Sequence, residues 1–224
     1  MARRPETKSV TIGGAETQTR PSDDRRLRIV TAAESVFSER GYDAGTLREI
    51  ASRAGVPLSL ITYHYADKLG LYRAIFEARV PQIVQQRLAG LALADLETDP
   101  ERRLDLIVKA LLVPMLGLRA TKDGRMFATL LAREVADPSS IQRGVVQGFM
   151  RPVTSAFLGR LKEALPTADE TAVLWAYGSM IGAMLYMLAG GGSMKDVTNG
   201  SVDPDDVRAC TDHLVGIALA GFRR

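Results

Sequence analysis

The sequence contains few of the residues that catalysis and metal binding use. Its 224 residues include one cysteine, Cys210, and two histidines, His64 and His213. A single cysteine excludes an internal disulfide and a thiolate metal cluster. Cys210 lies on an apolar helical stripe, which indicates an inert core residue. With no paired metal ligands and no nucleophile in a recognisable setting, we predict no cofactor, no metal and no catalytic residue.

Strand patterns and aromatic residues are also scarce. No stretch alternates apolar and polar residues over the length of a strand, and aromatic residues form only 6% of the chain. Alanine, leucine and arginine are abundant, which favours helices. A chain of 224 residues suits one or two domains with a sizeable core. The sequence therefore predicts an all-α fold.

The first residues show no apolar segment of signal-peptide length, so we expect a cytoplasmic protein. Residues 1–21 lack periodicity and predict a flexible basic arm. The cations of this arm either lie along DNA or belong to a solvated tail: Arg3, Arg4, Lys8 and Arg20. Residues 1–80 hold 13 Lys and Arg against 10 Asp and Glu, while the remainder has 16 of each. The positive excess therefore lies in the first third of the chain, which suits an anionic partner there.

Charge is absent from one stretch, Thr171 to Met194, which is long enough to cross a bilayer. Within it, Gly178 and Gly182 have the spacing of a membrane helix-dimer motif. However, Gly190–Gly192 would interrupt a span and indicates a helix stop, and the flanking charges show little basic bias. We therefore predict a helix buried in a helical assembly and no membrane partner.

Residues 46–65 show the pattern of two short helices joined by a tight turn. Thr46 and Glu49 form a T-x-x-E capping box at the start of the first helix, and Gly55 ends it after about two turns. Pro57 suits the first turn of the second helix, which runs to about Tyr65. The pattern indicates a helix-turn-helix, and the alternative is an ordinary helical hairpin.

Apolar residues recur at helical spacing over most of the remaining chain. We predict a first helix that Gly41 stops after Arg40, and a fourth that begins at Asp67 and bends at Pro81. Further helices are expected from Glu101 with an interruption at Pro114, at Phe127–Val135, at Pro138–Leu165 with a break near Pro152, and at Pro204–Phe222.

The segment ERGYDAGTLREIASRAGVPLSLITYHYADKLGLYRAIFE resembles the N-terminal signature of the tetracycline-repressor (TetR) family of bacterial transcriptional regulators. The matching positions are Gly41-Tyr42, Thr46, Ile50-Ala51, Ala54-Gly55-Val56, Tyr63-His64-Tyr65 and Lys68. The segment departs from the family pattern at Pro57-Leu58-Ser59-Leu60, at Thr62 and at Ala66. The resemblance implies an all-helical homodimer with a three-helix DNA-binding domain at residues 22–68. It implies a larger helical domain at residues 69–224 for effector binding and dimerisation.

The resemblance also implies which residues contact operator DNA. Arg48 matches a family position that reaches a guanine edge, so it is the candidate for direct base readout. In the major groove, thymine methyl groups suit Leu58 or Leu60, and the hydroxyls of Ser59 and Thr62 suit bases or phosphates. Leu60 is equally suited to packing inside the domain, and His64 to a capped turn or a buried partner. Phosphate contacts are expected from Thr46, Tyr63, His64 and Lys68, and Pro57 completes the predicted surface.

The C-terminal part is expected to hold an effector and the dimer interface. Seven of the eight methionines follow residue 114, and methionine suits adaptable apolar sites. The predicted pocket residues, for which plain core packing is the alternative, are Met115, Arg119, Phe127, Phe149, Trp175, Met180 and Met184. An acidic head group would bind Arg119, Arg133 or Arg151. The predicted interface, a four-helix arrangement between two chains, uses Gly178, Gly182, Ala183, Leu214 and Ile217.

Together these features predict a ligand-responsive DNA-binding regulator. We expect a repressor that a small lipophilic effector, such as an acyl or acyl-CoA compound, releases from a palindromic operator. Two alternatives stay open at this point. One is a ligand-independent structural DNA-binding protein, and the other is an enzyme that acts on a lipophilic small molecule.

Overall fold

The computed structural model describes residues 21–192 and 194–222, and all regular structure in that part of the chain is helical. The predicted all-α fold is confirmed. Residues 1–20 of the predicted basic arm lie outside the described residues. The helices are α1 (Pro21–Ala44), α2 (Leu47–Ala54), α3 (Leu58–Tyr65), α4 (Lys68–Ala94), α5 (Pro100–Leu116), α6 (Lys122–Ala136), α7 (Ser140–Arg143), α8 (Gln147–Ala164), α9 (Glu170–Leu188), α10 (Met194–Val197) and α11 (Val207–Phe222), with a short 3-10 helix at Gly117–Ala120.

Helices α1, α2 and α3 pack around a small apolar core. Val36 and Phe37 of α1, Ile50 of α2 and Ile61 of α3 are fully buried there. Each such side chain contributes about 1.5–3 kcal/mol on burial, which orients two helices too short to be stable alone. The backbone of α1 leaves helical geometry at Gly41 (φ 77°, ψ 174°), so its regular part ends after Arg40, as predicted.

Helix α4 joins these three helices to the rest of the molecule. It packs on α1 and α3 near its start and on α5 and α8 further along, and its 27 residues span about 40 Å. The helix continues through Pro81, where a bend was predicted. Pro81 and Glu77 are both exposed, so water can satisfy the carbonyl that loses its intrahelical partner.

Two other predicted proline breaks are wrong, because Pro114 lies inside α5 and Pro152 inside α8. The chain breaks at Gly144 instead, between α7 and α8, where the backbone adopts φ 63°. Glycine adopts this left-handed conformation without steric cost, so it ends a helix more readily than an exposed proline interrupts one.

The last helix also begins later than predicted. It starts at Val207 rather than at Pro204, because Asp203–Asp206 forms a turn in front of it. The Asp206 carboxylate accepts the N–H of Ala209 at 3.0 Å and caps this start.

The uncharged segment forms α9, which ends at Leu188 before three glycines with positive φ, as predicted. By length and composition α9 is able to cross a membrane, the sole such helix in the described part of the chain. In the single chain Trp175, Gly178 and Gly182 of α9 are exposed, so full burial of this helix stays a prediction for the assembly of two chains. An apolar helix face therefore lies uncovered on this protomer.

Candidate functional site

Residues 46–65 form the predicted helix-turn-helix with caps at Thr46 and Gly55, but the Glu49 carboxylate pairs with Arg40 and Arg53 and does not complete the predicted capping box. The Thr46 hydroxyl accepts the N–H of Glu49 at 3.2 Å at the start of α2. Gly55 adopts φ 65° at its end, and Pro57 precedes the first residue of α3. Because a side chain is strained at this φ, glycine suits the turn that sets the angle between the two helices.

The outer side of this unit carries most of the residues that were predicted to contact DNA. Ile61 points into the core and Leu60 is half-buried against it, which favours the packing role for Leu60. Thr62 donates its hydroxyl to the Ser59 carbonyl at 3.1 Å. The residues exposed to solvent are Thr46, Arg48, Pro57, Leu58, Ser59, Thr62 and Tyr63.

Arg48 differs from the nearby Arg40 and Arg53 because its charge is not used in an ion pair. Arg40 and Arg53 pair with Glu49 at 3.0 and 3.2 Å. Exposed Arg48 forms no ion pair or hydrogen bond with any residue that the structure describes. A free guanidinium at the start of α2 can bind a phosphate or a guanine edge without breaking an existing contact.

His64 and Lys68 are half-buried and take part in packing. The His64 ring lies 5.2 Å from that of Tyr63 and 6.1 Å from that of Tyr65. Lys68 donates to the Asp43 carbonyl at 2.9 Å, and its ammonium lies 4.7 Å from the centre of the Tyr42 ring. Burial lowers the pKa of Lys68. This lysine therefore links the start of α4 to the end of α1.

A partly enclosed cavity of about 270 Å³ lies among α4, α5, α6, α8 and α9. Most of its wall is apolar, and its polar groups come from a few residues on different helices. The lining residues are Arg87, Met115, Leu131, Glu134, Val135, Ser140, Val146, Gln147, Met150, Thr154, Tyr177, Ile181, Met184 and Leu185. Sites for small lipophilic molecules have this mixture of apolar wall and few polar groups.

Of the seven predicted pocket residues, Met115 and Met184 line this cavity. Phe127 is fully buried against Phe76, with ring centres 5.7 Å apart, and belongs to the core. Trp175 is 75% exposed on α9 and points away from the interior. Phe149 is half-buried and Met180 is buried, but neither lines the cavity. An aromatic residue at helical spacing did not distinguish the wall of a cavity from core or surface.

The predicted head-group arginines also lie elsewhere. Arg119 is buried, but it donates to the Leu188 carbonyl at 2.9 Å and forms an ion pair with Asp205. Exposed Arg133 donates to the Glu39 carbonyl at 3.3 Å, and Arg151 is exposed on α8. None of the three contributes to the cavity wall.

Sequence reasoning missed Arg87 and Glu134, two buried charged residues in the cavity wall. The Arg87 side chain is 3% exposed, and its Nε and Nη2 donate to the Leu111 carbonyl at 3.1 and 2.9 Å. Both residues sit at helical positions whose neighbours are apolar, which was the available signal. A charged residue on an otherwise apolar stripe is either paired inside the protein or turned towards a ligand.

Glu134 is the centre of a buried hydrogen-bond network. Its carboxylate accepts the hydroxyl of Tyr72 at 3.0 Å and forms an ion pair with Arg143 at 2.7 Å. Burial opposes the charge on Arg143, but the hydrogen bonds to Glu134 and Asp137 outweigh it and raise the pKa. Burial and the adjacent carboxylate raise the pKa of Tyr72 far above its usual value. The network therefore keeps Arg143 charged and Tyr72 neutral.

Tyr42, just after the break in α1, connects this network to the helix-turn-helix. The guanidinium of Arg143 lies 4.9 Å from the centre of the Tyr42 ring, and Lys68 lies against the same ring. Tyr42 also meets Tyr72 edge to face, with ring centres 4.8 Å apart. Glu134 of the cavity wall is therefore linked, through Arg143 and Tyr72, to Tyr42 at the end of α1.

The predicted dimer residues fall into two groups. Gly178 and Gly182 are exposed, and a Cβ added at either glycine would meet no atom within 4 Å. Ile217 is 54% exposed and Ala183 is half-buried, whereas Leu214 is buried within its own chain and is not free for a partner. Trp175 extends the exposed apolar surface along the same face of α9, at positions i, i+3 and i+7 with the two glycines.

Comparison with known proteins agrees with this architecture. Residues 29–75 match the family described as bacterial regulatory proteins, tetR family. Residues 109–221, half of the chain, match the family described as tetracyclin repressor-like, C-terminal domain. The first match contains the helix-turn-helix, and the second contains most of the cavity wall.

Several characterised regulators are similar to parts of the chain. The transcriptional activator FasR of Mycolicibacterium smegmatis is 38% identical over 90 residues, which are 40% of this chain and 40% of FasR. The transcriptional repressor BepR of Brucella suis is 29% identical over 179 residues, covering 75% of this chain and 78% of BepR. The structure of FadR from Bacillus subtilis in complex with stearoyl-CoA has a TM-score of 0.55 at 14% identity, covering 87% of this chain and 98% of FadR.

In the N-terminal part, the caps of α2 and the exposed side of α3 agree with the first family match. The second family match covers the C-terminal part. The chain therefore belongs to the TetR family of bacterial transcriptional regulators.

Proposed function

We propose that the chain represses transcription as a cytoplasmic homodimer and that a small lipophilic effector in the 270 Å³ cavity releases it from a palindromic operator. The observation that carries this proposal is the position of Glu134. It lines the cavity, and its partners Tyr72 and Arg143 both pack on Tyr42, beside the DNA-binding unit. A ligand in that cavity therefore has a short physical route to the helix-turn-helix.

Residues 22–68 form the DNA-binding domain in this proposal. Arg48 reads a base edge, because it is exposed and its charge is free to bind DNA. Leu58, Ser59 and Thr62 face the major groove on the exposed side of α3, with Pro57 at its start. The residues that bind phosphates and so fix the orientation are Thr46, Tyr63, His64 and Lys68.

Residues 69–224 bind the effector and dimerise. The apolar wall with Met115 and Met184 supports a lipophilic effector, and an acyl compound is the class that the stearoyl-CoA complex of FadR suggests. The uncovered face of α9 with Gly178 and Gly182, together with Ile217 on α11, supports dimerisation through four helices. A two-fold dimer requires a palindromic operator, because each protomer reads one half-site.

The effector acts by preferring one of two arrangements of α4. Lys68 and Tyr72 lie in the first turns of α4, and Arg87 of the same helix lines the cavity. A ligand that displaces the part of α4 around Arg87 also moves the start of α4. Through Lys68 and Tyr42, this movement reaches α3, the helix that faces the major groove. Such a ligand shifts DNA binding only by the difference between its affinities for the two arrangements.

Gel-shift titration of the DNA upstream of the gene, at low salt, tests the DNA-binding half of the proposal. The triple variant Leu58→Ala, Ser59→Ala, Thr62→Ala keeps buried Ile61, so it should fold but lose sequence-specific binding. Mass spectrometry of small molecules that co-purify with the protein identifies an effector, which should lower operator affinity when added back. Wild-type protein that shifts no DNA, or an operator affinity that no bound lipophile changes, contradicts the proposal.

A further inference from the structure

Arg87 is a buried cation with weak protein partners. Its guanidinium offers five N–H groups, and the oxygen it reaches is the Leu111 carbonyl, which accepts from Nε and Nη2. The other contacts are to thioether sulfurs, with Met150 Sδ 3.8 Å from Nη1 and Met184 Sδ 3.6 Å from Nη2. A thioether is a poor acceptor compared with a carboxylate.

The charge of Arg87 is not balanced by the protein. No carboxylate among residues 21–192 and 194–222 forms an ion pair with it, whereas the other two buried arginines, Arg119 and Arg143, each pair with an aspartate or a glutamate. Burial lowers the pKa of Arg87 to about 10, so the side chain remains protonated at neutral pH. A buried charge without a counter-ion is destabilising, and an anionic ligand would relieve that cost.

The position of Arg87 directs this charge into the cavity. Glu134 lines the same cavity, but its carboxylate is already neutralised by Arg143 and hydrogen-bonded by Tyr72. The remaining wall is mostly apolar, with the hydroxyls of Thr154 and Tyr177 3.5 Å from each other. The cavity therefore presents one uncompensated positive charge in an apolar surrounding.

We propose that Arg87 binds the carboxylate of a medium-chain alkanoate whose hydrocarbon tail fills the apolar part of the cavity. The proposal rests on the proposed function, because it names the chemical class of the effector for that site. The planar guanidinium binds a carboxylate through two parallel N–H groups. To do so it exchanges two sulfur contacts for two charge-assisted hydrogen bonds, and the flexible methionines give way.

The size of the cavity sets the length of the tail. The cavity volume of about 270 Å³ lies just below the range of roughly 300–1,000 Å³ that is typical of sites for drug-sized ligands, so it suits a small ligand. An alkanoate of eight to ten carbons matches that volume. A fatty acid of membrane-lipid length, or the nucleotide part of an acyl-CoA, would extend beyond this volume.

Calorimetric titration with four probes tests the assignment: sodium octanoate, methyl octanoate, 1-octanol and octanoyl-CoA. Arg87→Met removes the charge and leaves a side chain of similar volume. Arg87→Lys keeps the charge but cannot form the bidentate contact with a carboxylate. Arg151→Met is the matched control, because Arg151 is exposed and lies outside the cavity wall. Unfolding curves of each variant establish that it is folded, and Arg87→Met should be at least as stable as wild type.

Octanoate should bind wild type on the order of 10- to 100-fold more tightly than methyl octanoate or octanol. Arg87→Met should abolish that preference, Arg87→Lys should reduce it, and Arg151→Met should retain it. Preference for octanoyl-CoA over octanoate would overturn the assignment in favour of a conjugated ligand. Equal binding of octanoate and its ester, or no binding of either, would also overturn it. In each of these cases the proposed function is decided separately, by whether any co-purified lipophile changes operator affinity.

Discussion

Arg143 and Tyr42 form a cation–π contact, with the guanidinium carbon 4.9 Å from the ring centre, at the junction of the two parts of the molecule. The same guanidinium is ion-paired to Glu134 in the cavity wall. Tyr42 belongs to the segment that enters the helix-turn-helix. A single buried side chain therefore contacts both the cavity wall and Tyr42, just before the helix-turn-helix, which makes it a suitable place to measure coupling between the two.

We expect Arg143→Met to cost about 3–5 kcal/mol in the free energy of unfolding, because it leaves the Glu134 carboxylate buried without its counter-ion. Urea unfolding measures this loss. The double variant Arg143→Met, Glu134→Gln should lose less than the single variant, because no uncompensated charge remains. Arg40→Met is the control, because its pair with Glu49 is solvent-exposed and should contribute less than about 1 kcal/mol. Equal losses in Arg143→Met and Arg40→Met would contradict the importance of the buried pair.

The helix-turn-helix was predictable because its signals are local. Thr46 and Gly55 each act through backbone geometry within a few residues, and the structure has these two caps where the sequence placed them. The family signature spans the same segment. A pattern that is satisfied by neighbours in the chain can be read without knowing the tertiary fold.

The cavity was less predictable because it depends on contacts between distant residues. Trp175 and Phe127 are both aromatic residues in apolar helical segments, yet Trp175 is exposed and Phe127 lies in the core. Arg119 was expected to face a ligand, and its partner is Asp205, 86 residues further along. Arg87 passed unnoticed because an arginine in a long helix is ordinarily solvated. The apolar neighbours of Arg87 indicate burial, but they do not indicate whether its partner is a residue of the protein or a ligand.

Replacement of Arg48 by alanine tests base readout. If this free guanidinium contacts a guanine edge, the variant should lose about 1–3 kcal/mol of binding to the operator and relax the preference at one base pair. Fluorescence anisotropy with the operator and its single-base variants measures both effects. Arg53→Ala is the control, because Arg53 already pairs with Glu39 and Glu49. A uniform loss on all DNA sequences would instead identify Arg48 as a phosphate contact.

Asp137 should make stability sensitive to acid. Its carboxylate accepts the N–H of Ser139 and pairs with Arg143, and these contacts lower its pKa. A carboxyl whose pKa is lower in the folded than in the unfolded protein stabilises the folded state. This stabilisation is complete above the pKa of the unfolded protein, near 3.9, and disappears as the pH falls through the pKa of the folded protein. Asp137→Asn should therefore unfold at lower urea than wild type at pH 7, and the difference should shrink below about pH 4. A difference that stays constant down to pH 2 would contradict this account.

The uncovered apolar face should decide the oligomeric state. Ile217 on α11 is 54% exposed in one protomer, and Gly178 and Gly182 on α9 are also exposed. Apolar patches of this kind mark sites of protein–protein contact, and exposed glycines allow the backbone of a neighbouring helix to approach closely.

We therefore expect Ile217→Arg, and independently Gly182→Arg, to weaken dimerisation at least tenfold, since each buries a charge without a partner at the contact. Analytical ultracentrifugation measures the dissociation constant. Leu96→Arg is the matched control, because Leu96 is 79% exposed in the turn after α4 and is not part of α9 or α11. A dimer that is as stable in both interface variants as in Leu96→Arg would show that the two chains meet elsewhere. Loss of operator binding in step with loss of the dimer would follow from two half-sites that must be occupied together.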